Sequence, residues 1–139
     1  MTIDSGQWTI KESLRDDKNM DNVIEQKSFR FAVRMVKLCR FLQEDKKEYT
    51  LSKQLLRAGT SIGANIVESQ QAQSRADFIA KLNIALKEAA ETDYWLRLLQ
   101  ATDYLTKAEF SSLITDCREI EKLLTAIIKT SRNTTITTP

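Results

Sequence analysis

Ser61-Ile62-Gly63-Ala64-Asn65-Ile66-Val67-Glu68, entered through Leu55-Leu56-Arg57-Ala58-Gly59-Thr60, is the stretch on which the fold turns. Leu51, Leu55, Ala58, Ile62, Asn65 and Ser69 step through it by fours and threes, the period of a helix. Gly59 and Gly63 are four residues apart, so a helix stacks them on one face. Each lowers helix propensity by about 1 kcal/mol relative to alanine. A helix that keeps both is expected to lie close against a neighbour, within one bundle or across a subunit boundary. Asn65 and Glu68 would anchor that crossing, since a buried amide must be hydrogen-bonded and often fixes register or oligomeric state.

The same period extends in both directions. Upstream, Asn22 with Glu25 three residues on is a helix-start signal, and Phe29, Ala32, Val33, Met35, Val36, Cys39 and Leu42 form a broad apolar face as far as Glu44. The connector Glu44-Asp45-Lys46-Lys47-Glu48 is short and charged. Downstream, Ser74 with Asp77 opens a third helix whose stripe is Phe78, Leu82, Ala85, Ala89, Thr92, Leu96 and Leu99. Thr106 with Glu109 is a capping box, with Leu105 and Phe110 at staple positions, and starts a fourth helix carrying Phe110, Leu113, Cys117, Ile120, Leu124 and Ile127. The expected helices are about 22–44, 49–71, 75–103 and 107–130, with a mobile tail over 1–21 and a frayed end over 132–139. Trp8 and Ile10 are candidates to dock on the bundle. Four amphipathic helices joined by short loops pack most simply as an all-α, antiparallel up-down-up-down four-helix bundle over 22–131. Further apolar residues lie off the stripes, among them Ile66, Val67, Ile79, Leu86, Tyr94, Trp95, Leu98, Ile114, Leu123 and Ile128, an excess that points to self-association.

Composition narrows the chemistry. The 139 residues include one proline, at Pro139, three glycines, two cysteines and no histidine. Without histidine there is no Cys–His nucleophile, no Ser-His-Asp triad and no histidine-ligated zinc. Cys39 and Cys117 sit in helical apolar patterns and read as small core residues of a reducing compartment. No apolar run reaches the ~20 residues of a membrane span, and no leader pattern opens the chain, so a cytoplasmic protein without a membrane partner is expected. Glu68, Glu88, Glu91 and Asp93 could bring carboxylates together, but ferritin-like metal centres also need Glu-x-x-His pairs. Pairing with Arg57, Lys87 or Arg97 is the simpler expectation, and no cofactor, metal or catalytic residue is assigned. Gly59 and Gly63 lack the preceding strand and the Gly-Lys-Ser/Thr of a phosphate loop.

Charge is the functional clue. Lys27, Arg30, Arg34, Lys37 and Arg40 are five basic residues with no acidic one between Lys27 and Gln43, whereas residues 1–26 hold three basic and six acidic residues. Spacings of three and four put most of the five on one helix face, where like charges repel by a few tenths of a kcal/mol per pair. Such a stripe invites a polyanion, and a nucleic-acid backbone is the usual one. The competing expectation is a solvated face covered by the acidic tail.

From Leu55 to Leu99 the chain resembles the four-helix bundle family of proteins encoded in intervening sequences of bacterial 23S ribosomal RNA genes. The resemblance spans about 28–130 and is most specific at Thr60–Glu68 and Phe78–Leu99. It implies an antiparallel bundle assembled as a ring-shaped homopentamer without enzymatic activity. The chain is also similar to the accessory protein of diversity-generating retroelements, a basic pentameric barrel that binds nucleic acid and a reverse transcriptase. Family members often have Glu-Gly where this chain has Glu68-Ser69. The function expected is a non-enzymatic homo-oligomer binding RNA or DNA through Lys27, Arg30, Arg34, Lys37 and Arg40, with Gly59, Gly63, Asn65 and Glu68 structural. A ring-shaped adaptor for a protein partner is the alternative, and a carboxylate-metal enzyme built on Glu68, Glu88 and Glu91 a distant third.

Overall fold

The computed structural model describes the backbone of residues 5–137 and the side chains of 22–133. Four helices follow in order: α1 (Ser5–Glu44), α2 (Leu51–Ser69), α3 (Arg75–Ala101) and α4 (Lys107–Thr137). Each packs on its neighbours in the cycle α1–α2–α3–α4–α1, and neither diagonal pair brings its backbones close among the described residues. Residues facing one another step in opposite directions: Gly59 and Gly63 of α2 face Met35 and Ser28 of α1, and Arg57 and Glu68 face Glu88 and Lys81 of α3. Likewise Arg34 and Lys27 of α1 meet Asp116 and Glu119 of α4. Neighbours are therefore antiparallel, as short connections require.

Helix α1 begins at Ser5, not near Asn22, so the backbone of the tail expected over 1–21 is helical from Ser5 onward. After Gly6 no glycine or proline interrupts the run to Glu44, and the Asn22–Glu25 start signal falls inside a continuing helix. The expected docking of Trp8 and Ile10 lies outside the described side chains. Helix α4 continues to Thr137, past the expected end near 130. The caps at the other two starts form as the sequence specifies. Ser74 Oγ accepts from the Asp77 N–H at 3.0 Å, and Thr106 and Glu109 exchange bonds of 2.9 and 3.1 Å. At the end of α3 the Tyr104 N–H reaches the Leu99 carbonyl and the Asp103 N–H that of Gln100, a Schellman closure with Asp103 at φ 69°. Helix α2 ends differently. Gln70, Gln71 and Ala72 donate to the carbonyls three residues back and Gln70 keeps φ −69°, so Ser69 serves where a left-handed turn would favour glycine.

The core is a continuous column of Ile24, Phe31, Met35, Leu42, Leu55, Ile62, Ile66, Leu82, Leu96, Leu99, Ile120 and Leu124. Cys39 and Cys117 are buried and free, as expected. Of the off-stripe apolar residues, Ile66, Ile114 and Ile128 are buried, and Ile79, Leu86, Trp95 and Leu123 pack against the core. Two expected core residues are not there: Phe29 is 70% exposed and Val33 is exposed. Ile24, Ser28, Phe31 and Met35 carry the buried stripe, and at 3.6 residues per turn Phe29 and Val33 fall well round the helix from it.

The glycine face of α2 meets α1. A Cβ on Gly59 would lie 3.1 Å from Met35 Cβ and closer still to its Cγ, whereas one on Gly63 would meet Ser28 Oγ at 3.4 Å. The two substitutions should therefore differ in sign. Gly63→Ala gains helix propensity and is expected to stabilise by up to ~1 kcal/mol. Gly59→Ala forces Met35 aside and is expected to destabilise by ~1–2 kcal/mol despite the same gain. Urea midpoints of the two variants measure the difference, and equal midpoints would remove the close-packing explanation for Gly59.

Candidate nucleic-acid interface

The five cations of α1 spiral round the helix and meet two environments. Lys27 Nζ lies 2.8 Å from Glu119 Oε1, and Arg34 Nη1 lies 2.5 Å from Asp116 Oδ2 while its Nη2 donates to Ser112 Oγ at 2.9 Å. These two belong to the α1–α4 seam, where their charge is already matched. Arg30, Lys37 and Arg40 are exposed and have no carboxylate partner among the described residues. Arg30 makes one long bond, 3.4 Å, to Gln26 Oε1 of the preceding turn. Gln26, Phe29, Val33, Lys37 and Arg40 step by three and four and share the outward face of α1.

Beside that face a groove of about 760 Å³ runs between α1 and α2. Asn22, Glu25, Gln26, Phe29 and Arg30 form one wall, Thr60, Ala64 and Val67 the other, and Gly63 lies between. The groove exists because α2 is stripped of side chains here. Gly63 and Ala64 give no bulk, and the Thr60 hydroxyl turns back to the Leu56 carbonyl at 2.7 Å.

The other candidate residues lie on the side of α2 toward α3 and on α3 itself. Asn65 is half-buried on the flank of α2 that faces α3, off the buried stripe of Ile62 and Ile66, and its Nδ2 donates to the Ser61 carbonyl at 2.8 Å. It does not form the core amide that the sequence led us to expect, because the buried stripe runs through Ile66. Glu68 is exposed and 4.0 Å from Lys81. Arg57 pairs with both Glu88, at 3.2 Å, and Glu91. The Arg57 guanidinium holds the Glu91 carboxyl below its ordinary range against the opposing effect of burial. The carboxylates of α3 are thus spoken for by arginine, as the simpler expectation had it.

One cluster was not foreseen. Asp93 of α3 and Cys117 and Glu121 of α4 bring a carboxylate, a thiol and a second carboxyl within 4.8 Å of one another. Asp93 Oδ1 accepts from Arg97 Nε at 2.8 Å and Oδ2 from Arg118 Nε at 3.1 Å. Cys117 Sγ donates to the Ala89 carbonyl at 3.4 Å, and burial pushes the thiol far up, so it stays protonated. Burial and the adjacent Asp93 raise Glu121 to about 7. Asp93 moves the opposite way: burial opposes its ionisation, but the two arginines outweigh it. With both Asp93 oxygens and the thiol occupied by protein partners, the cluster works as a clamp between α3 and α4. Its signal in the sequence, Asp93 four residues before Arg97 and Cys117 four before Glu121, became meaningful only once the two helices were docked.

A four-helix, all-α bundle with antiparallel neighbours is the class of protein this fold defines. The model of the 23S rRNA-intervening sequence protein family matches residues 20–126, and the chain belongs to that family. Its fold is similar to the crystal structure of a protein of unknown function from the S23 ribosomal protein family of Bacteroides thetaiotaomicron VPI-5482. The two share 61% identity over 79% of this chain and 98% of the other, with a TM-score of 0.79. No curated protein matches the chain. No helix among the described residues is long and apolar enough to cross a membrane.

Proposed function

We propose that this protein is a non-enzymatic, self-associating bundle that binds the phosphate backbone of RNA or DNA through the outward face of α1. One observation carries the reading: Arg30, Lys37 and Arg40 stand exposed on one side of a helix and form no ion pair among the described residues, the Asp116 and Glu119 that border a small cavity beside Arg30 being held by Arg34 and Lys27. Cations held apart from counter-charges release condensed ions from a polyanion when they bind it, which drives association without sequence preference. Lys27 and Arg34, also candidates from sequence, reach nucleic acid only by giving up Glu119 and Asp116, so they contribute less. Exposed apolar residues away from α1, namely Tyr49, Ile84 and Tyr94, offer a surface for self-association, and a ring of copies would multiply the cationic face.

The test uses the full chain purified without nuclease and a fluorescein-labelled 20-nucleotide RNA. Binding should weaken steeply between 50 and 500 mM salt. Arg30→Glu, Lys37→Glu and Arg40→Glu combined should lower affinity roughly 100-fold at the lower salt. Unchanged retention of RNA by that variant would sink the reading. An adaptor that holds a protein partner is the second reading, favoured by the exposure of Val23, Phe29, Val33 and Val67. A protein that copurifies stoichiometrically, with no nucleic acid present, would support it.

A further inference from the structure

We infer that the nucleic acid this face takes is single-stranded, and that one unpaired base seats on Phe29 in the groove between α1 and α2. The inference rests on the backbone-binding reading above and adds the form of the ligand.

Phe29 is 70% exposed, the most exposed of the large hydrophobic side chains described. It stands next to Arg30 and one turn from Gln26 and Val33, on the face that continues to Lys37 and Arg40. An aromatic ring among unmatched cations is the arrangement that single-strand binders use, in which bases stack on rings while the cations follow the backbone. A duplex offers no free base faces to such a ring. Along the helix axis Arg30 and Lys37 are about 10 Å apart and Arg40 about 5 Å further on, so the cations flank the ring on one side and extend away from it as a track.

The groove supplies what a base would need beyond stacking. Its volume of about 760 Å³ admits a nucleobase, and Gly63 and Ala64 leave the α2 side open to close approach. Val67 gives an apolar wall opposite the ring, Asn22 and Gln26 bring side-chain amides that carry both donors and acceptors, and the Glu25 carboxylate accepts from a base amine while keeping phosphate out on the cationic face. A second copy of the chain is the other occupant the apolar wall would fit. In a ring it would come through a different face, and native mass reads that outcome; three unpaired cations beside the groove commit the proposal to a polyanion.

The experiment measures binding of labelled oligo(dT) and oligo(U) of 20 nucleotides and of a 20-base-pair duplex, to the parent, Phe29→Ala and Phe29→Tyr, across a salt series. Native mass is recorded for each protein. Single strands should bind at least tenfold tighter than the duplex at equal salt. Phe29→Ala should lose about tenfold for single strands with an unchanged salt slope, and Phe29→Tyr should restore most of it. Phe29 is exposed, so its truncation leaves the core intact. Equal affinity for duplex and single strand would overturn the inference while leaving backbone binding standing, as would an alanine variant that binds like the parent. A fall in native mass for Phe29→Ala with unaltered single-strand affinity would assign the groove to a second copy. Failure of the parent to bind any of the probes at low salt would remove the backbone reading itself.

Discussion

Glu48→Ala is expected to lower the unfolding free energy by about 2–3 kcal/mol, a large effect for a residue in a five-residue charged connector. The Glu48 side chain closes the start of α2. Its Oε2 accepts from the Thr50 and Leu51 N–H groups at 3.1 and 3.0 Å, and its Oε1 from the Ser52 N–H at 2.7 Å. These are donors that the first turn of a helix leaves without partners, and the negative charge sits at the positive end of the helix dipole. Thr50, at the cap position itself, makes no side-chain cap bond. Ser52 completes the knot: its hydroxyl donates to the Glu48 carbonyl at 2.9 Å and accepts from Gln43 Nε2 at 3.2 Å, tying the end of α1 to the start of α2. Alanine removes the acceptor from all three donors, and of these the Ser52 N–H is buried away from replacement by water.

The same site sets an acid limit. Burial pushes the Glu48 carboxyl up, but the backbone N–H groups of Leu51, Ser52 and Thr50 and the Ser52 side chain outweigh it and hold it below 4.5. A carboxyl depressed by folding contributes stability above its unfolded value, and that stability is lost as pH falls through the folded one. Urea midpoints at pH 7 and pH 3 should therefore fall further for the parent than for Glu48→Ala, and Glu48→Gln should lose about 1 kcal/mol at neutral pH. An alanine variant as stable as the parent at pH 7 would show that Glu48 does not cap α2.

Glu121→Gln should act at the opposite end of the pH range. Folding raises the Glu121 carboxyl from 4.5 to about 7, because burial and the neighbouring Asp93 outweigh Arg118 and Arg97. A carboxyl raised by folding contributes stability below its unfolded value, and that contribution disappears as pH rises through the folded value. The clamp between α3 and α4 is thus firmest below about pH 4.5, weakens progressively as pH rises to about 7 and levels off above it. Glutamine keeps a donor for Asp93 and carries no charge. It should match the parent near pH 5 within a few tenths of a kcal/mol and exceed it at pH 8 by about 1–2 kcal/mol, a figure reduced for solvent screening of a partly exposed group. Denaturation at the two pH values in the same buffer series decides it. A parent-to-variant difference that stays constant between pH 5 and pH 8 would show that Glu121 does not titrate in that interval.

How much was legible before the fold was known depended on the range of each interaction. The capping pairs Ser74–Asp77 and Thr106–Glu109 act within one turn, and both form as their spacing indicates. Gly59 and Gly63 pointed to a close helix crossing, and the structure assigns that neighbour as α1. Phe29 and Val33 were grouped with the core because helix 1 is apolar over more than one face, and periodicity does not say which face meets the other helices. Glu48 looked like one more charge in a loop, since its role needs the chain to turn so that a side chain two residues before Thr50 reaches three backbone donors.

For the candidate site the division is sharper. The run of five basic residues on α1 is a property of the sequence alone, and so is the absence of any acidic residue between Lys27 and Gln43. Which of the five remain unmatched was decided by the docking of α4, whose Asp116 and Glu119 lie more than eighty residues away along the chain. The sequence by itself determined four helices, most of their ends and a positive strip, because hydrophobic period, caps and charge spacing act over a few residues. Only the tertiary structure decided that Lys27 and Arg34 are neutralised, that Arg30, Lys37 and Arg40 face outward and that Phe29 stands among them, because pairing across helices depends on how each is rotated against its neighbours.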